Sequence, residues 1–319
     1  MPNGNNETTR AADKLRVLIV GAGAIGSFYG AILHRAGASV SVVMRSDTEV
    51  VKQQGFQFTS PIGNISWHPD AVYTQADASS APAFDVVILC VKVVPSIDRV
   101  ALLKPWVSID TTIMLIQNGI DIEPPIAQAF PHNPLISALA FIAVSRVAPG
   151  KVDHKAYGRL VMGMYGEGQV PKALVEAFNA GGVAAKVTEN IQYERWAKCI
   201  WNAPFNPVSV LAGGADTLQM LDAPQGETTI RAMMAEVMAV AAADGHALPT
   251  DAADKNIQVT RDMPAYRNSM ALDFLAGREL ELEAILGNVV ALAERYQVAT
   301  PHPDTLWGIL QMRFSPSQI

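Results

Sequence analysis

The sequence predicts an α/β domain with a doubly wound, mostly parallel sheet, followed by an all-α domain. Two observations lead to this prediction. Short apolar runs rich in β-branched residues alternate with helical segments up to Thr188, which is typical of a parallel sheet covered by helices. Beyond Thr188 the apolar residues recur at helical spacing, with no clear strand among them. We therefore expect a flexible tail at 1–14, an α/β domain at 15–188 and a helical domain at 189–319.

Composition and charge narrow the class of protein. Hydrophobic residues make up 50% of the chain and charged residues 17%, which is typical of a folded globular protein. The net charge is −6 and the basic residues form no block, which argues against a nucleic-acid partner. The polar segment 1–14 lacks the apolar core of a secretory signal, and no apolar run reaches membrane-spanning length. Cys90 and Cys199 make no disulfide framework, so we predict a cytoplasmic protein.

The first unit along the chain is a strand, a glycine-rich turn, a helix and a second strand. The first strand covers 15–20, the helix 27–36 and the second strand 38–44. The turn consists of Gly21, Ala22, Gly23, Ala24, Ile25 and Gly26. Its first glycine permits a tight turn, its second lets a pyrophosphate approach the backbone, and its third allows the helix to pack on the strand. This context indicates a Rossmann-type dinucleotide site at the helix N-terminus; an incidental glycine turn is the alternative.

The residue after the second strand indicates which dinucleotide binds. NAD-specific sites usually carry an acidic residue there, which binds the ribose 2′-hydroxyl. This chain has Arg45 instead, and a guanidinium favours the 2′-phosphate of NADPH. We therefore predict NADPH as the cofactor. The alternative is that Arg45 is a solvated residue at the end of a strand.

The remaining elements of the first domain follow from shorter patterns. Segment 56–73 alternates irregularly, as a hairpin insertion would. The runs 84–91 and 111–116 are typical of buried parallel strands, and they deliver Lys92 and Asn118 to the sheet edge where such folds bind ligands. An ordinary loop lysine and an Asn-Gly turn are the alternatives. Further patterns predict an apolar run at 134–144, short strands within 151–164, a helix at 170–180 and a strand at 183–187.

The helical domain begins with a helix whose polar residues need an explanation. Helices are predicted at 191–211, 226–243, 252–260, 280–296 and 303–313. Lys198, Asn202 and Asn206 stand at i, i+4 and i+8, so they share one face of the first helix. Apolar neighbours indicate that this helix is buried, where an amine and two carboxamides are costly without partners. A bound ligand would supply those partners. For Lys198, an acidic residue across the domain interface is the alternative.

A nicotinamide cofactor supplies a hydride, so the reduction of a carbonyl also requires a proton donor. Lys198 suits this role, because its ammonium can hydrogen-bond the carbonyl oxygen and partial burial would lower its pKa. Glu281 and Ser269 are further candidates, although a capping or solvated role would also explain each of them. The six histidines are scattered without metal-ligand spacing, so we predict no metal site.

Taken together, these residues make the chain similar to a known family. From Arg16 to about Gln311 it resembles the ketopantoate reductases. The resemblance rests on the glycine turn, Val91-Lys92, Gln117-Asn-Gly119, Trp196-Ala-Lys-Cys-Ile-Trp-Asn202 followed by Asn206-Pro207, Asn268-Ser-Met270, and Glu281 with Gly287. It implies a Rossmann domain and a helical domain with a cleft between them. It also implies NADPH-dependent reduction of 2-dehydropantoate to (R)-pantoate, on the route to pantothenate and coenzyme A.

The resemblance implies a role for each site residue. Lys198 would be the catalytic proton donor, and Glu281 the acid near the lysine and the substrate hydroxyl. Arg45 would bind the 2′-phosphate, while Lys92 and Asn118 would line the cofactor and substrate side of the cleft. The residues that would hold the substrate are Asn118, Asn202, Asn206 and Ser269.

One segment departs from the family pattern. At 211–216, where some members carry another substrate-binding asparagine, this chain runs Leu-Ala-Gly-Gly-Ala-Asp. An NADPH-dependent reductase of a different 2-oxo acid is therefore the second hypothesis, and a non-catalytic NADPH-binding sensor is the third. The joint presence of the catalytic and substrate-binding side chains argues against the sensor. The apolar character of the helical half favours a homodimer.

Overall fold

The computed structural model describes residues 14–314, so most of the tail expected at 1–14 lies outside the described residues. The strands are β1 (Arg16–Val20), β2 (Ser39–Val43), β3 (Phe56–Thr59), β4 (Ile65–Trp67), β5 (Val72–Tyr73), β6 (Val86–Leu89), β7 (Thr112–Ile116), β8 (Leu135–Ala148), β9 (Lys151–Met164) and β10 (Ala185–Val187). The helices are α1 (Ala24–Arg35), α2 (Thr48–Gln54), α3 (Arg99–Leu103), α4 (Pro124–Ala129), α5 (Lys172–Ala180), α6 (Ile191–Leu211), α7 (Thr217–Asp222), α8 (Gly226–Ala243), α9 (Ala252–Asp262), α10 (Ser269–Leu275), α11 (Asn288–Tyr296) and α12 (Pro301–Arg313).

The strands form one sheet, which confirms the predicted fold class. Its order is β4-β3-β9-β8-β7-β6-β1-β2-β5, and β10 pairs with β9. Neighbouring strands are parallel except for the pairs β3–β4 and β8–β9. Between 188 and 314 the described chain contains helices and no strand. The architecture is therefore an α/β sheet half followed by an all-α half.

The central strands are buried on both faces, because helices cover both sides of the sheet. Val17 and Ile19 of β1 pack in one core with Phe28 of α1, whereas Leu18 of the same strand packs in a second core with Trp106. Strands covered in this way need apolar residues at nearly every position; β6 is apolar throughout, and β7 is apolar from Ile113 to its end. The result is a rigid sheet whose β1, β6 and β7 ends carry the loops of the site.

Two strand predictions for the first half are corrected by the structure. The expected hairpin at 56–73 is limited to β3 and β4, because β5 leaves it and pairs in parallel with β2 at the far edge. The expected short strands within 151–164 are instead one 14-residue strand, β9, which pairs antiparallel with β8. Register shifts after Phe141, Ala143 and Arg146 interrupt the alternation of β8, and such bulges obscure the strand pattern in the sequence.

The helical half matches the predicted segments closely at its start. Helices α6 and α8 have the predicted bounds, and α9 extends two residues beyond the prediction. The expected helix at 280–296 begins with a π-helical turn at Glu283–Gly287 before it continues as α11. Helix α6 contains Pro204 and Pro207, which cannot donate backbone hydrogen bonds to the carbonyls four residues earlier.

The two halves meet along the carboxyl ends of β6 and β7. The loop after β6 contacts the segment that links α10 to the π-helical turn: the Val93 backbone donates to Glu281, and the Ser96 backbone donates to Glu279. The loop after β7 is fixed to the same segment, since Ile120 N donates to Ala284 O at 2.9 Å. Of the helices in residues 14–314, none is both long and apolar enough to cross a membrane.

Candidate active site

The glycine turn between β1 and α1 has the geometry of an anion cradle. Gly21 has a φ of +91°, and a Cβ there would lie 2.5 Å from Val91 Cγ1; a Cβ at Gly26 would lie 2.4 Å from the Gly21 carbonyl oxygen. These two positions accept only glycine without rearrangement. Gly23 is different, because it is exposed and has open space where a side chain would project.

The N-terminus of α1 supplies the polar groups of this cradle. Gly23 is the N-cap residue, and no side chain caps the helix. The first N–H groups of the helix, at Ala24 and Ile25, therefore carry the positive end of the helix dipole toward the open space over Gly23. A pyrophosphate fits this arrangement.

The end of β2 places Arg45 beside the cradle, because Gly21 N donates to Val43 O at 3.1 Å. Arg45 is exposed, as a residue that receives a ligand phosphate would be. A second arginine, which sequence reasoning missed, lies nearby: Arg146 of β8 forms an ion pair with Asp47 at 2.6 Å. Arg146 is 99 residues from Asp47 along the chain. The two residues come together only because β8 and β9 form one long hairpin.

Lys198 of α6 points at the edge of the sheet. Its ammonium donates to Asn118 Oδ1 and to the Ala140 carbonyl, both at 2.8 Å. The same nitrogen lies 5.1 Å from the centre of the Phe141 ring. An ammonium has three N–H donors. The two acceptors that the described chain provides therefore leave one N–H for a ligand.

The pKa of Lys198 is lowered to about 7, chiefly because burial disfavours the charged amine. The positive charges of Arg195 and Arg159 lower it further, whereas Glu281 acts in the opposite direction. Arg159 lies opposite Phe141 in the β8–β9 ladder and stacks on its ring, with Cζ 3.7 Å from the centroid. A lysine with a pKa near neutrality can both hold and release a proton at ordinary pH.

Glu281 lies on the other side of Asn118 from Lys198. Its Oε1 accepts from Val93 N at 3.0 Å, and the side chain is 9% exposed. Burial raises the pKa of Glu281, while the Val93 N–H, Lys92 and a hydrogen bond from Asn118 moderate the rise. The structure thus brings Lys198, Asn118 and Glu281 together, although they come from three separate parts of the chain.

Lys92 leaves β6 at the expected edge and then reaches across to the helical half. Its ammonium lies 2.5 Å from Asp273 Oδ2 and 3.4 Å from the Glu279 carbonyl. Asp273 also binds Arg278 at 2.8 Å. Lys92 therefore lies beside the cleft and pairs with an acidic residue across it. The sequence offered such a pair as the alternative for Lys198, not for Lys92.

The polar residues of α6 beyond Lys198 have few protein partners. Asn202 lines a narrow cavity together with Lys198, Gly119 and Arg195. Asn206 is 2% exposed, yet its Oδ1 has no hydrogen-bond partner in the described chain. A buried carboxamide oxygen without a partner is costly, so this atom indicates room for a ligand donor or a water molecule.

Ser269 stands apart from this group of buried residues. It is exposed and forms the first residue of α10. The alternative that Ser269 caps this helix does not hold, because the N-cap is Asn268, whose Oδ1 accepts from Ala271 N at 2.8 Å. Asn268 is also held by Ser209 of α6, at 3.1 Å. The side chain of Ser269 remains available to a ligand.

A buried ion pair next to Lys198 was not predicted from the sequence. Arg195, one turn earlier on α6, pairs with Glu123 at the start of α4, and both side chains are fully buried. A charged residue among the apolar neighbours of Lys198 was the available signal, since a buried guanidinium requires an acidic partner.

The fold and this site define a class: an oxidoreductase with a dinucleotide cradle on one half and a lysine-bearing helix on the other. The comparisons make the class specific. The model described as ketopantoate reductase PanE/ApbA matches residues 17–167, and the model of the C-terminal part of the same family matches 190–314. The chain belongs to the ketopantoate reductase family, whose members act as oxidoreductases on a CH–OH group.

Individual relatives support this membership. A 2-dehydropantoate 2-reductase from Nostoc sp. is 31% identical, over 92% of this chain and 93% of its own. The crystal structure of a 2-dehydropantoate 2-reductase from Methylococcus capsulatus is 48% identical, covers 94% of this chain and 96% of its own, and has a TM-score of 0.88. A ternary structure of D-mandelate dehydrogenase with NADH and anilino(oxo)acetate, at 21% identity and a TM-score of 0.85, covers 94% of this chain and 98% of its own and shares the fold.

Proposed function

We propose that the chain catalyses the NADPH-dependent reduction of 2-dehydropantoate to (R)-pantoate, a step of pantothenate and coenzyme A biosynthesis. The observation that carries this proposal is the Lys198 ammonium, held by Asn118 and Ala140 beside Glu281 with one N–H left over. The family to which the chain belongs supports the choice of substrate. Lys198 is the proposed proton donor.

NADPH, when bound, supplies the hydride that reduces the carbonyl carbon. The remaining N–H of Lys198 donates a hydrogen bond to the carbonyl oxygen and delivers its proton as negative charge develops there. Asn118 and Ala140 hold the ammonium in the orientation that this transfer needs. Glu281, with its raised pKa, lies where it can bind the hydroxyl group of the substrate.

The remaining polar groups are proposed to hold the substrate and the cofactor. Asn206, whose buried Oδ1 lacks a partner, accepts a hydrogen bond from a substrate hydroxyl. Asn202 and Ser269, at the start of α10, donate hydrogen bonds to substrate oxygens. The pyrophosphate of NADPH is proposed to lie over Gly23, and Lys92 lies on the cofactor side of the cleft.

A second candidate is the reduction of another 2-oxo acid on the same scaffold. The segment 211–216 favours it, because it joins α6 to α7 through glycines and ends with Asp216 capping α7. It offers no asparagine to a ligand. The catalytic step would be unchanged, and only the groups around the substrate tail would differ.

The reaction is tested by following NADPH oxidation with 2-dehydropantoate beside pyruvate, 2-oxoisovalerate and 2-oxoglutarate, and with NADH in place of NADPH. A kcat/KM that strongly favours 2-dehydropantoate and NADPH supports the full proposal. Preference for a different acid keeps the mechanism and rejects the pathway. NADPH binding without turnover of any 2-oxo acid rejects the catalytic proposal and favours a sensor.

Replacing Arg45 with alanine is expected to reduce the preference for NADPH over NADH by about 10- to 100-fold, the range for one hydrogen bond to a charged group. The loss should appear in kcat/KM for NADPH, while the value for NADH stays close to that of the parent. Lys172→Ala, at an exposed lysine of α5, is the control. An unchanged ratio in Arg45→Ala would assign the 2′-phosphate to another cation.

The cysteines and the exposed apolar residues bear on the cellular location and the oligomeric state of the protein. Both cysteines are free, as expected of a protein in a reducing compartment, so we propose a cytoplasmic location. Leu272, Leu275 and Met312 of the helical half are exposed, which supports a homodimer through this half. Size-exclusion chromatography with light scattering determines the oligomeric state.

A further inference from the structure

Arg195 is a charged residue buried next to the site. The residue is 1% exposed, and Glu123 is its only anionic partner in the part of the chain described here. Replacing such a buried pair with apolar side chains is often harmless to stability. The need for a stable fold alone therefore gives little reason for a guanidinium in this position.

The guanidinium of Arg195 binds the loop that carries Asn118. It donates to the Gln117 carbonyl at 3.1 Å and to the Gly119 carbonyl at 2.9 Å, the residues on either side of Asn118. Its Nε also donates to Ser137 Oγ at 2.8 Å, and Ser137 in turn donates to Glu123. The position of the Asn118 side chain, which accepts from Lys198, thus depends on this fork of donors.

The same arginine places a fixed positive charge near Lys198. The two residues are three apart on α6 and line the same narrow cavity, together with Asn202. Glu123 does not use all of the guanidinium, since Arg195 Nη2 has no hydrogen-bond partner within residues 14–314. A guanidinium stays charged at every pH at which the protein is folded.

We propose that Arg195, held by Glu123, is a positioning residue: it fixes the backbone around Asn118 and keeps a permanent positive charge beside Lys198. The proposal rests on the proposed role of Lys198 as proton donor. Arg195 then determines both where the ammonium of Lys198 lies and how readily that ammonium releases its proton.

Three charged groups face Lys198 from the elements around it: Arg195 on its own helix, Arg159 on β9, and Glu281 before the π-helical turn. The two arginines lower the pKa of Lys198 and Glu281 raises it. Reduction requires protonated Lys198, so the rate falls as pH rises through its pKa. Removal of the Arg195 charge raises that pKa and must move the fall in rate to higher pH.

The test compares two variants. Arg195→Lys keeps the charge but loses the fork, so kcat should fall about 10-fold or more through misplacement, without a shift of the basic limb of kcat/KM. Arg195→Met with Glu123→Leu removes both charges, and its basic limb should lie at higher pH than that of the parent. A purely structural role would lower the melting temperature without moving this limb.

A control and a second readout keep the outcomes separate. Arg231→Met with Glu227→Leu removes a partly exposed ion pair of α8 and should leave the limb in place. NMR titration of lysine labelled with ¹³C at Cε, assigned with Lys198→Ala, reports the pKa of Lys198 without any substrate.

The inference is overturned if this pKa is unchanged in the double variant, or if Arg195→Lys retains the parental kcat. A parent without a basic limb or without 2-oxo acid turnover instead contradicts the proposed function, and the titration still decides the charge effect.

Discussion

Replacing Lys198 with alanine is expected to lower kcat by about 10²- to 10⁴-fold, the usual range for the loss of a positioned acid. The ammonium has two protein acceptors, Asn118 and Ala140, and no other described lysine shares this arrangement. The affinity for NADPH should change little, because the pyrophosphate is proposed to bind at the glycine turn before α1, whereas Lys198 lies on α6. Steady-state kinetics and an NADPH binding titration measure the two effects separately.

The pH profile of the parent enzyme provides a second test of Lys198 as the proton donor. Because the pKa of Lys198 is about 7 and the protonated amine is the proposed donor, reduction should slow as pH rises through about 7. Lys186→Ala, at an exposed lysine two residues before the end of the sheet half, is the control and should keep the parental rate and profile. A Lys198→Ala variant with near-parental kcat would exclude Lys198 as the proton donor.

Replacing Gly23 with valine is expected to weaken NADPH binding by about 10²-fold or more while the apo protein remains folded. A side chain at Gly23 meets no protein atom within 4 Å, so the fold should tolerate it. It would, however, occupy the space over the N-terminus of α1 where the pyrophosphate is proposed to lie. Two lost hydrogen bonds to a charged phosphate, each worth roughly 1.5–3 kcal/mol, account for the expected effect.

Gly308→Val is the matched control for this experiment. Gly308 of α12 also has open space around it and, like Gly23, no positive φ, but it is in the helical half away from the turn. Calorimetric titration with NADPH and thermal unfolding of the apo proteins provide the two measurements. Parental affinity in Gly23→Val would place the pyrophosphate elsewhere, and an unfolded variant would contradict the open space described here.

The sequence predicted those parts of the molecule in which local pattern and tertiary structure agree. Short apolar runs identify β1, β6 and β7, and helical spacing identifies α6 and α8 within their true bounds. The fold class places Asn118 at the carboxyl ends of the strands. Lys198 on α6 and Glu281 before the π-helical turn both reach Asn118 there. Their roles remain proposals.

What the sequence left open depends on contacts between distant residues. The bulges of β8 and β9 hid one long hairpin, and Arg146 reaches Asp47 only through it. The partner of Lys92 is Asp273, and the partner of Arg195 is Glu123, 181 and 72 residues away. No local periodicity specifies such pairs. At Asn268 and Ser269 the choice of capping residue was settled by a backbone hydrogen bond that either side chain type can make.

The partly buried ammonium of Lys198 also lowers the stability of the folded protein. Its pKa is about 7 in the folded protein, against 10.5 for an unperturbed lysine, so the unfolded chain binds more protons between these limits. The stability that the lysine removes is largest below about pH 7 and is regained as pH rises toward the pKa of the unfolded chain, at about 1.4 kcal/mol for each pH unit between the two pKa values. Lys198→Met should therefore raise the melting temperature at about pH 6 and lose this advantage in alkaline solution. An inactive Lys198→Met variant with a higher melting temperature than the parent would show that the lysine on this helix supports activity at the expense of stability.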